Sequence, residues 1–135
     1  MRRYIEEAVS NGNLAVLDTV LSPDYYNPTT AAGPTPGVIE RYKQSVAQTR
    51  ASFPDLRVTF ESMVADGDLV AYHTVWRGTH LGEWRGIPPT GKRVEWRVTA
   101  FRRVVEGKVV AGWGTYDWLA VYEQLGATVS PPAQT

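Results

Sequence analysis

The stretch VEWRVTAFRRVVEGKVVAGWGTY, residues 94–116, decides the fold of this chain. Valine, threonine and aromatic residues alternate in it with charged ones, and this period of two is typical of β-strands. The turn Glu106-Gly107-Lys108 divides the stretch. It therefore predicts an antiparallel hairpin with strands over residues 94–104 and 109–116.

The same pattern extends upstream of this hairpin. Residues 57–64 and 69–80 also read as strands, and Asp66-Gly67-Asp68 between them supplies a second tight turn. The region before residue 57 has a helical period instead. Helices followed by a run of strands predict an α+β domain built on an antiparallel sheet.

Four helices are predicted around these strands. Apolar residues from Tyr4 to Val9 fall at helical spacing, and Asn13 is placed to cap a second short helix that Ser22-Pro23-Asp24 closes. A third helix fits residues 38–52, and a last one fits residues 118–125. Tyr25-Tyr26-Asn27 reads as a short strand, and the proline-rich residues 28–37 as a loop.

Composition limits the possible partners. The chain has 135 residues, 43% of them hydrophobic, which indicates one folded domain over residues 1–135 with a frayed tail over 126–135. Fourteen Lys and Arg balance fourteen Asp and Glu, so a nucleic-acid partner is not expected. No apolar run of about 18 residues could span a membrane, and Glu6 and Glu7 interrupt any signal peptide. We therefore expect a cytoplasmic protein.

A bound metal is not expected either. The chain has no cysteine, which excludes thiolate zinc sites. His73 and His80 lie seven residues apart on one predicted strand, so they face opposite sides of the sheet. Three carboxylates neighbour aromatic residues, namely Glu83, Glu95 and Asp117. Asp117 follows the last strand, where it could cap the final helix or move protons.

Several short motifs together resemble a known family. They are Asn11-Gly12-Asn13-Leu14, Phe53-Pro54-Asp55-Leu56, Gly78-Thr79-His80-Leu81-Gly82-Glu83, Gly86 to Lys92, Glu106 to Val110, and Trp113 with Asp117 and Gln124-Leu125-Gly126. In order and spacing they resemble the SnoaL-like polyketide cyclases of the nuclear-transport-factor-2-like superfamily. The resemblance runs from about residue 3 to 126.

The resemblance implies a cone-shaped, strongly curved antiparallel sheet wrapped around N-terminal helices, enclosing an apolar pocket. It also implies ring closure without metal or organic cofactor, and a homodimer paired through the outer face of the sheet. The family's catalytic Asp and His align with Gly114 and Ala100, neither of which can move a proton. His80, Asp117 and Tyr116 are then the expected acid–base residues.

We therefore expect a cyclase of lyase or isomerase type that preorganises a polyketide or related natural-product intermediate. The expected partner is a small apolar or aromatic substrate. The residues expected to contact it are Tyr26, Trp76, Trp96, Ala100, Trp113 and Gly114. Two alternatives stay open. One is an isomerase or hydrolase that uses a buried carboxylate, as ketosteroid isomerase does. The other is a non-catalytic small-molecule-binding protein.

Overall fold

The predicted strands form one open sheet in the computed structural model, which describes residues 2–29, 36–128 and 130–132. Its order is β1-β5-β4-β3-β2, and the neighbours from β2 to β5 pair antiparallel. The strands of the described residues are β1 (Leu21–Tyr26), β2 (Arg57–Asp66), β3 (Leu69–Thr79), β4 (Arg93–Val105) and β5 (Lys108–Tyr116). Together with the helices, this sheet confirms the α+β class.

Strand β1 corrects one expectation. Ser22-Pro23-Asp24 does not close a helix but lies within β1, which pairs parallel with β5 from Leu21 opposite Val109 to Tyr26 opposite Ala111. An edge strand tolerates proline, because it needs donors on one side only. The sheet is therefore mixed rather than wholly antiparallel.

The helices follow the predicted order. They are a π-helix (Tyr4–Ser10), α1 (Val16–Val20), α2 (Val38–Ser52) and α3 (Trp118–Gln124). The predicted bounds of α2 are confirmed. Asn13 does not cap α1, because that helix begins after Ala15 without a side-chain cap. In the predicted loop, residues 30–35 lie outside the described residues, as do residues 129 and 133–135 of the predicted tail.

Strand β4 shows how the sheet acquires two different faces. Its even-numbered residues from Val94 to Arg102 are buried, whereas Arg97, Thr99 and Phe101 are exposed. We call the side of the buried residues the inner face and the other side the outer face. The inner face packs with the helices into one core that includes Leu17, Val46 and Val121. The period of two thus gives β4 one buried and one open side.

Candidate functional site

A cavity of about 580 Å³ is lined by the inner face and the helices. Its aromatic lining residues are Tyr4, Tyr42, Trp76, Trp84, Tyr116 and Trp118. Helix α2 contributes Tyr42 and also polar side chains, including Ser45, Gln48 and Thr49. The lining therefore combines aromatic rings with polar groups, rather than being uniformly apolar. Such a lining suits a flat organic ligand that carries oxygen groups.

A tight turn places a cation in the cavity wall. Trp84 and Ile87 exchange two backbone hydrogen bonds of 3.1 and 2.9 Å. Arg85 and Gly86 between them have φ angles of 47° and 83°, as a type I′ turn requires. The Arg85 guanidinium lies 4.8 Å from the Trp84 ring and 4.5 Å from the Trp118 ring. Arg85 is exposed and also lines the cavity, so it stands at the rim.

Glu83 is the carboxylate in the lining. The end of α2 positions it, because Ser52 Oγ donates a 2.6 Å hydrogen bond to the Glu83 carbonyl. The backbone N–H groups of Leu81 and Gly82 donate to the Ser52 carbonyl at 3.0 and 3.1 Å. A Cβ on Gly82 would lie 2.2 Å from the Ala51 carbonyl oxygen, so this approach requires glycine. The end of α2 thus holds the backbone of Glu83 in place, while its carboxylate is exposed.

A buried arginine lies behind the tyrosines of the cavity. Arg102 is 4% exposed and occupies an inward position of β4. Its Nη1 donates to the hydroxyls of Tyr25 at 2.7 Å and Tyr42 at 3.1 Å, and its Nε donates to Tyr72 at 3.3 Å. The guanidinium carbon lies 5.6 Å from the Tyr4 ring centroid. We call Arg102 with Tyr4, Tyr25, Tyr42, Tyr72 and Tyr116 the tyrosine–arginine cluster.

Burial keeps three tyrosines of the cluster protonated, while its arginine stays charged. Burial raises the pKa of Tyr4, Tyr25 and Tyr116 above its ordinary value, and the charge of Arg102 opposes part of that rise. Burial also disfavours the arginine cation, but the surrounding tyrosines raise the pKa of Arg102 well above its ordinary value. Near pH 7 the positive charge of Arg102 therefore lies beside three neutral tyrosine hydroxyls.

Gly112 makes room for this cation. It lies opposite Arg102 in the pairing of β4 with β5. A Cβ at Gly112 would lie 2.4 Å from Arg102 Nη1 and 2.7 Å from the Tyr25 hydroxyl oxygen. No larger side chain fits there unless the guanidinium moves. The Arg102 side chain therefore fills the space that a side chain at residue 112 would occupy.

Two of the residues expected from the sequence line the cavity. Trp76 and Tyr116 belong to its wall, and the Tyr116 ring stacks on Trp118 with centroids 5.2 Å apart. Trp96 is 1% exposed and packs behind the wall, 5.8 Å from the Trp76 ring and 6.2 Å from the Trp118 ring. Trp96 therefore supports the wall that Trp76 and Trp118 form.

His80 and Asp117 are not among the lining residues. His80 is fully buried, and its Nδ1 accepts a 3.2 Å hydrogen bond from the backbone N–H of Thr90. Its ring packs against Phe53, with centroids 5.7 Å apart. The exposed Asp117 caps α3, because its Oδ1 accepts a 3.1 Å hydrogen bond from the backbone N–H of Ala120. Both side chains hold loops and helix ends in place.

The remaining four expected residues lie elsewhere on the sheet. Tyr26 is 37% exposed on β1, and Trp113 stacks on Phe101 at the outer face with centroids 5.3 Å apart. Ala100 is fully buried on the inner face, directly opposite the exposed Gly114. None of the four is among the residues that line the cavity.

Sequence reasoning missed the tyrosine–arginine cluster, although one signal was present. In the alternation of β4, Arg102 shares a face with Val98 and Ala100, where a charge is unexpected. The tyrosines gave no such signal, because they come from five separate elements of the chain. Only the tertiary fold brings them together.

The family model of the SnoaL-like polyketide cyclases matches residues 1–125. The chain belongs to this family. The SnoaL-like fold also appears in a solved structure, TsrD from Streptomyces laurentii, with a TM-score of 0.81 and 26% identity. That match covers 95% of this chain and 92% of TsrD.

Two curated relatives of this SnoaL-like chain are cyclases. Nogalonic acid methyl ester cyclase from Streptomyces nogalater is 28% identical over 120 residues, which cover 88% of this chain and 90% of the relative. Aklanonic acid methyl ester cyclase AcmA from Streptomyces galilaeus is 26% identical over 125 residues, which cover 92% and 87%. The family is thus one of enzymes that act on small organic substrates.

Two further findings concern the described part of this SnoaL-like chain. No helix in it is both long and apolar enough to cross a membrane. No three of its His, Asp and Glu side chains come together where they could hold a metal ion. His73 and His80 are separated as their spacing predicts, since His73 pairs with Glu61 at the outer face while His80 is buried.

Proposed function

We propose that the protein closes a ring in a polyketide or related natural-product intermediate without a cofactor, by holding the substrate in a reactive conformation. The observation that supports this most directly is the cavity of about 580 Å³ with its aromatic wall. Its volume lies in the ordinary range for small-molecule sites. Flat rings such as Trp76 and Trp84 fix the plane of a conjugated substrate, and proximity then contributes to lowering the barrier.

The names of the two curated relatives suggest the substrate class. Both specify methyl esters of organic acids. We propose that this chain takes an intermediate of the same kind, in which carbon next to a carbonyl attacks a second carbonyl. Such a step needs a proton taken from carbon and an oxyanion stabilised as it forms.

The acid–base assistance is modest in this proposal. Tyr116 lines the cavity and stays protonated, so it can donate a hydrogen bond to the developing oxyanion. The Glu83 carboxylate at the rim can accept the proton from carbon. His80 and Asp117 would then act indirectly, through the loop and the helix that they hold. The buried-carboxylate alternative gains no support, because none of the described Asp and Glu side chains is buried.

Turnover tests this proposal. Purified protein is incubated with a polyketide acid methyl ester in the presence of a chelator, and ring closure is followed by liquid chromatography and mass spectrometry. We expect conversion by the wild type and a loss of about tenfold or more in Tyr116→Phe. Tyr26→Phe is the matched control, because Tyr26 is exposed and is not among the residues that line the cavity. Binding without conversion would instead identify a non-catalytic binding protein.

We also propose a homodimer formed through the outer face. Phe101 is 36% exposed and stacks on Trp113 within 6° of parallel, which leaves an aromatic surface beside β5. We expect Phe101→Lys to weaken self-association in analytical ultracentrifugation. Leu119→Lys serves as the control, since Leu119 is 50% exposed on α3 and lies outside the sheet. A wild-type monomer at all accessible concentrations would contradict the dimer.

A further inference from the structure

Arg102 carries a buried positive charge that forms no ion pair with any Asp or Glu side chain of the described residues. All fourteen Asp and Glu residues lie in the described part of the chain, and none of them forms an ion pair with Arg102. A buried charge is costly unless it is paired and hydrogen-bonded. Tyrosine hydroxyls supply the hydrogen bonds to Arg102, but no Asp or Glu of the described residues supplies the paired negative charge.

Three of the five tyrosines cannot supply the missing negative charge. Arg102 faces Tyr4 from the π-helix, Tyr25 from β1, Tyr42 from α2, Tyr72 from β3 and Tyr116 from β5. Burial raises the pKa of Tyr4, Tyr25 and Tyr116, so these hydroxyls are neutral at physiological pH. They screen the cation as dipoles and leave one net positive charge in the cluster.

This charge lies directly behind the cavity. Tyr4, Tyr42 and Tyr116 each interact with Arg102, and each also lines the cavity. Tyr42 connects Arg102 to the cavity most directly, because its hydroxyl accepts a 3.1 Å hydrogen bond from Arg102 Nη1. The same hydroxyl donates to the Tyr25 hydroxyl at 2.9 Å. A hydroxyl that accepts from a cation becomes a stronger donor. In this structure the single O–H of Tyr42 points to Tyr25, so a bound ligand would turn it from Tyr25 to an oxygen of its own.

We propose that the tyrosine–arginine cluster is an oxyanion site that selects ligands with an acidic enol or phenol oxygen and binds them as the anion. Tyr42 and Tyr116 donate to the ionised oxygen, and Arg102 acts through them as a positioning residue that supplies the charge. The proton that the enol or phenol releases passes to bulk water. This inference rests on the proposed function, because the ligand has to occupy the cavity.

A pair of probes separates charge from shape. One is a nitro-substituted naphthol, whose anion absorbs at longer wavelength than its neutral form, and the other is the methyl ether of that naphthol. Affinities are measured by titration, and the absorbance band reports the ionisation of the bound naphthol. We expect the wild type to bind the naphthol as the anion, about tenfold or more tighter than the ether, because charge-assisted hydrogen bonds are the strong ones.

Arg102→Met should abolish this preference while the ether still binds, and Arg102→Lys should restore part of it. Tyr42→Phe removes one hydroxyl and leaves Arg102 in place, so it tests the donor even if Arg102→Met fails to fold. Arg103→Met is the matched control, since Arg103 is the next residue of β4 and pairs with Asp68 on the outer face.

Two results would overturn the inference in distinguishable ways. If the naphthol and its ether bind equally in the wild type, or if the bound naphthol is neutral, the oxyanion site is wrong while the receptive cavity survives. If neither probe binds, the proposed function fails and the inference fails with it.

Discussion

Arg102 and Arg103 are consecutive residues of β4, but Arg102 is buried and Arg103 is partly exposed. Arg103 points to the outer face, where it is part-exposed and pairs with Asp68. Arg97, further along the strand, bridges Glu61 and Glu95 at 3.4 Å each on the same face. Arg102 points inward, is 4% exposed and contacts tyrosine hydroxyls instead of carboxylates.

The difference shows what each face is for. Exposed ion pairs contribute little to stability, because water already solvates both partners. An unpaired buried cation is expensive, and a fold retains one only where the surrounding groups offset the cost. The outer arginines are thus ordinary surface charges. Arg102 instead holds a positive charge inside the molecule, which can stabilise a negatively charged ligand in the cavity.

The largest expected effect follows from removing that charge. Arg102→Met should lower kcat/KM of ring closure about 100-fold, because the charge stabilises both the bound anion and the transition state that develops from it. Arg103→Met should stay within about twofold of the wild type. Steady-state kinetics on the two variants makes the comparison directly. Equal losses in both would show that the inward charge has no special role.

The next effect comes from filling the space beside Arg102. Gly112→Ala should cost about 2 kcal/mol of unfolding free energy, because the new Cβ displaces the guanidinium. In an Arg102→Ala background the same substitution should cost less in chemical denaturation, because only the Tyr25 hydroxyl then lies in the way. Gly114→Ala is the control on the same strand, since its Cβ would meet Thr99 and Ala100 rather than Arg102. A Gly112→Ala loss that Arg102→Ala does not relieve would disprove the clash.

Alkaline titration probes the same cluster through its tyrosines. Because burial raises the folded-state pKa of Tyr4, Tyr25 and Tyr116, folding favours their neutral form. This contribution to stability is complete below about pH 10, the ordinary tyrosine pKa, and is lost as the pH rises through the folded values. Tyrosinate absorbance and denaturation curves at stepped pH should show these residues ionising above that pH. Ionisation of all three near pH 10 in the folded protein would contradict the burial argument.

The smallest effect is expected on the outer face. Arg97→Met breaks contacts to Glu61 and Glu95, yet it should cost less than about 1 kcal/mol. The cost should vanish in about 1 M NaCl, where exposed charges are screened. Denaturation at low and high salt measures both values. A large, salt-independent loss would mean that the outer charges are structural after all.

The sequence predicted those parts of the fold that depend on local period. Helix α2 has the predicted bounds, and strands β2 to β5 lie where alternation placed them. Strand β1 could not be predicted as paired, because its partner β5 begins about ninety residues later and tertiary pairing overrides the turn preference of Ser22-Pro23-Asp24. In a short segment the hydrophobic periodicity is too brief to predict which strand it pairs with.

The site was less predictable for the same physical reason. Trp76 and Tyr116 were named from the sequence and line the cavity. Tyr4 and Tyr42 were missed, because a tyrosine on a helix usually packs into a core without further meaning. Arg102 was detectable in principle from its inward register opposite Gly112, but its hydroxyl partners come from distant segments.

The five tyrosines around Arg102 arrive on five different elements, so no fragment of the chain can assemble them by itself. In a folding intermediate with strands β2 to β5 paired but the helices undocked, water would solvate the Arg102 guanidinium. The tyrosine hydroxyls on the other elements would not yet contact it. Contacts between distant segments cost more chain entropy to form than local contacts do. Catalytic competence should therefore emerge only in the final docking step of folding, and regain of activity after refolding should lag behind regain of β-sheet signal.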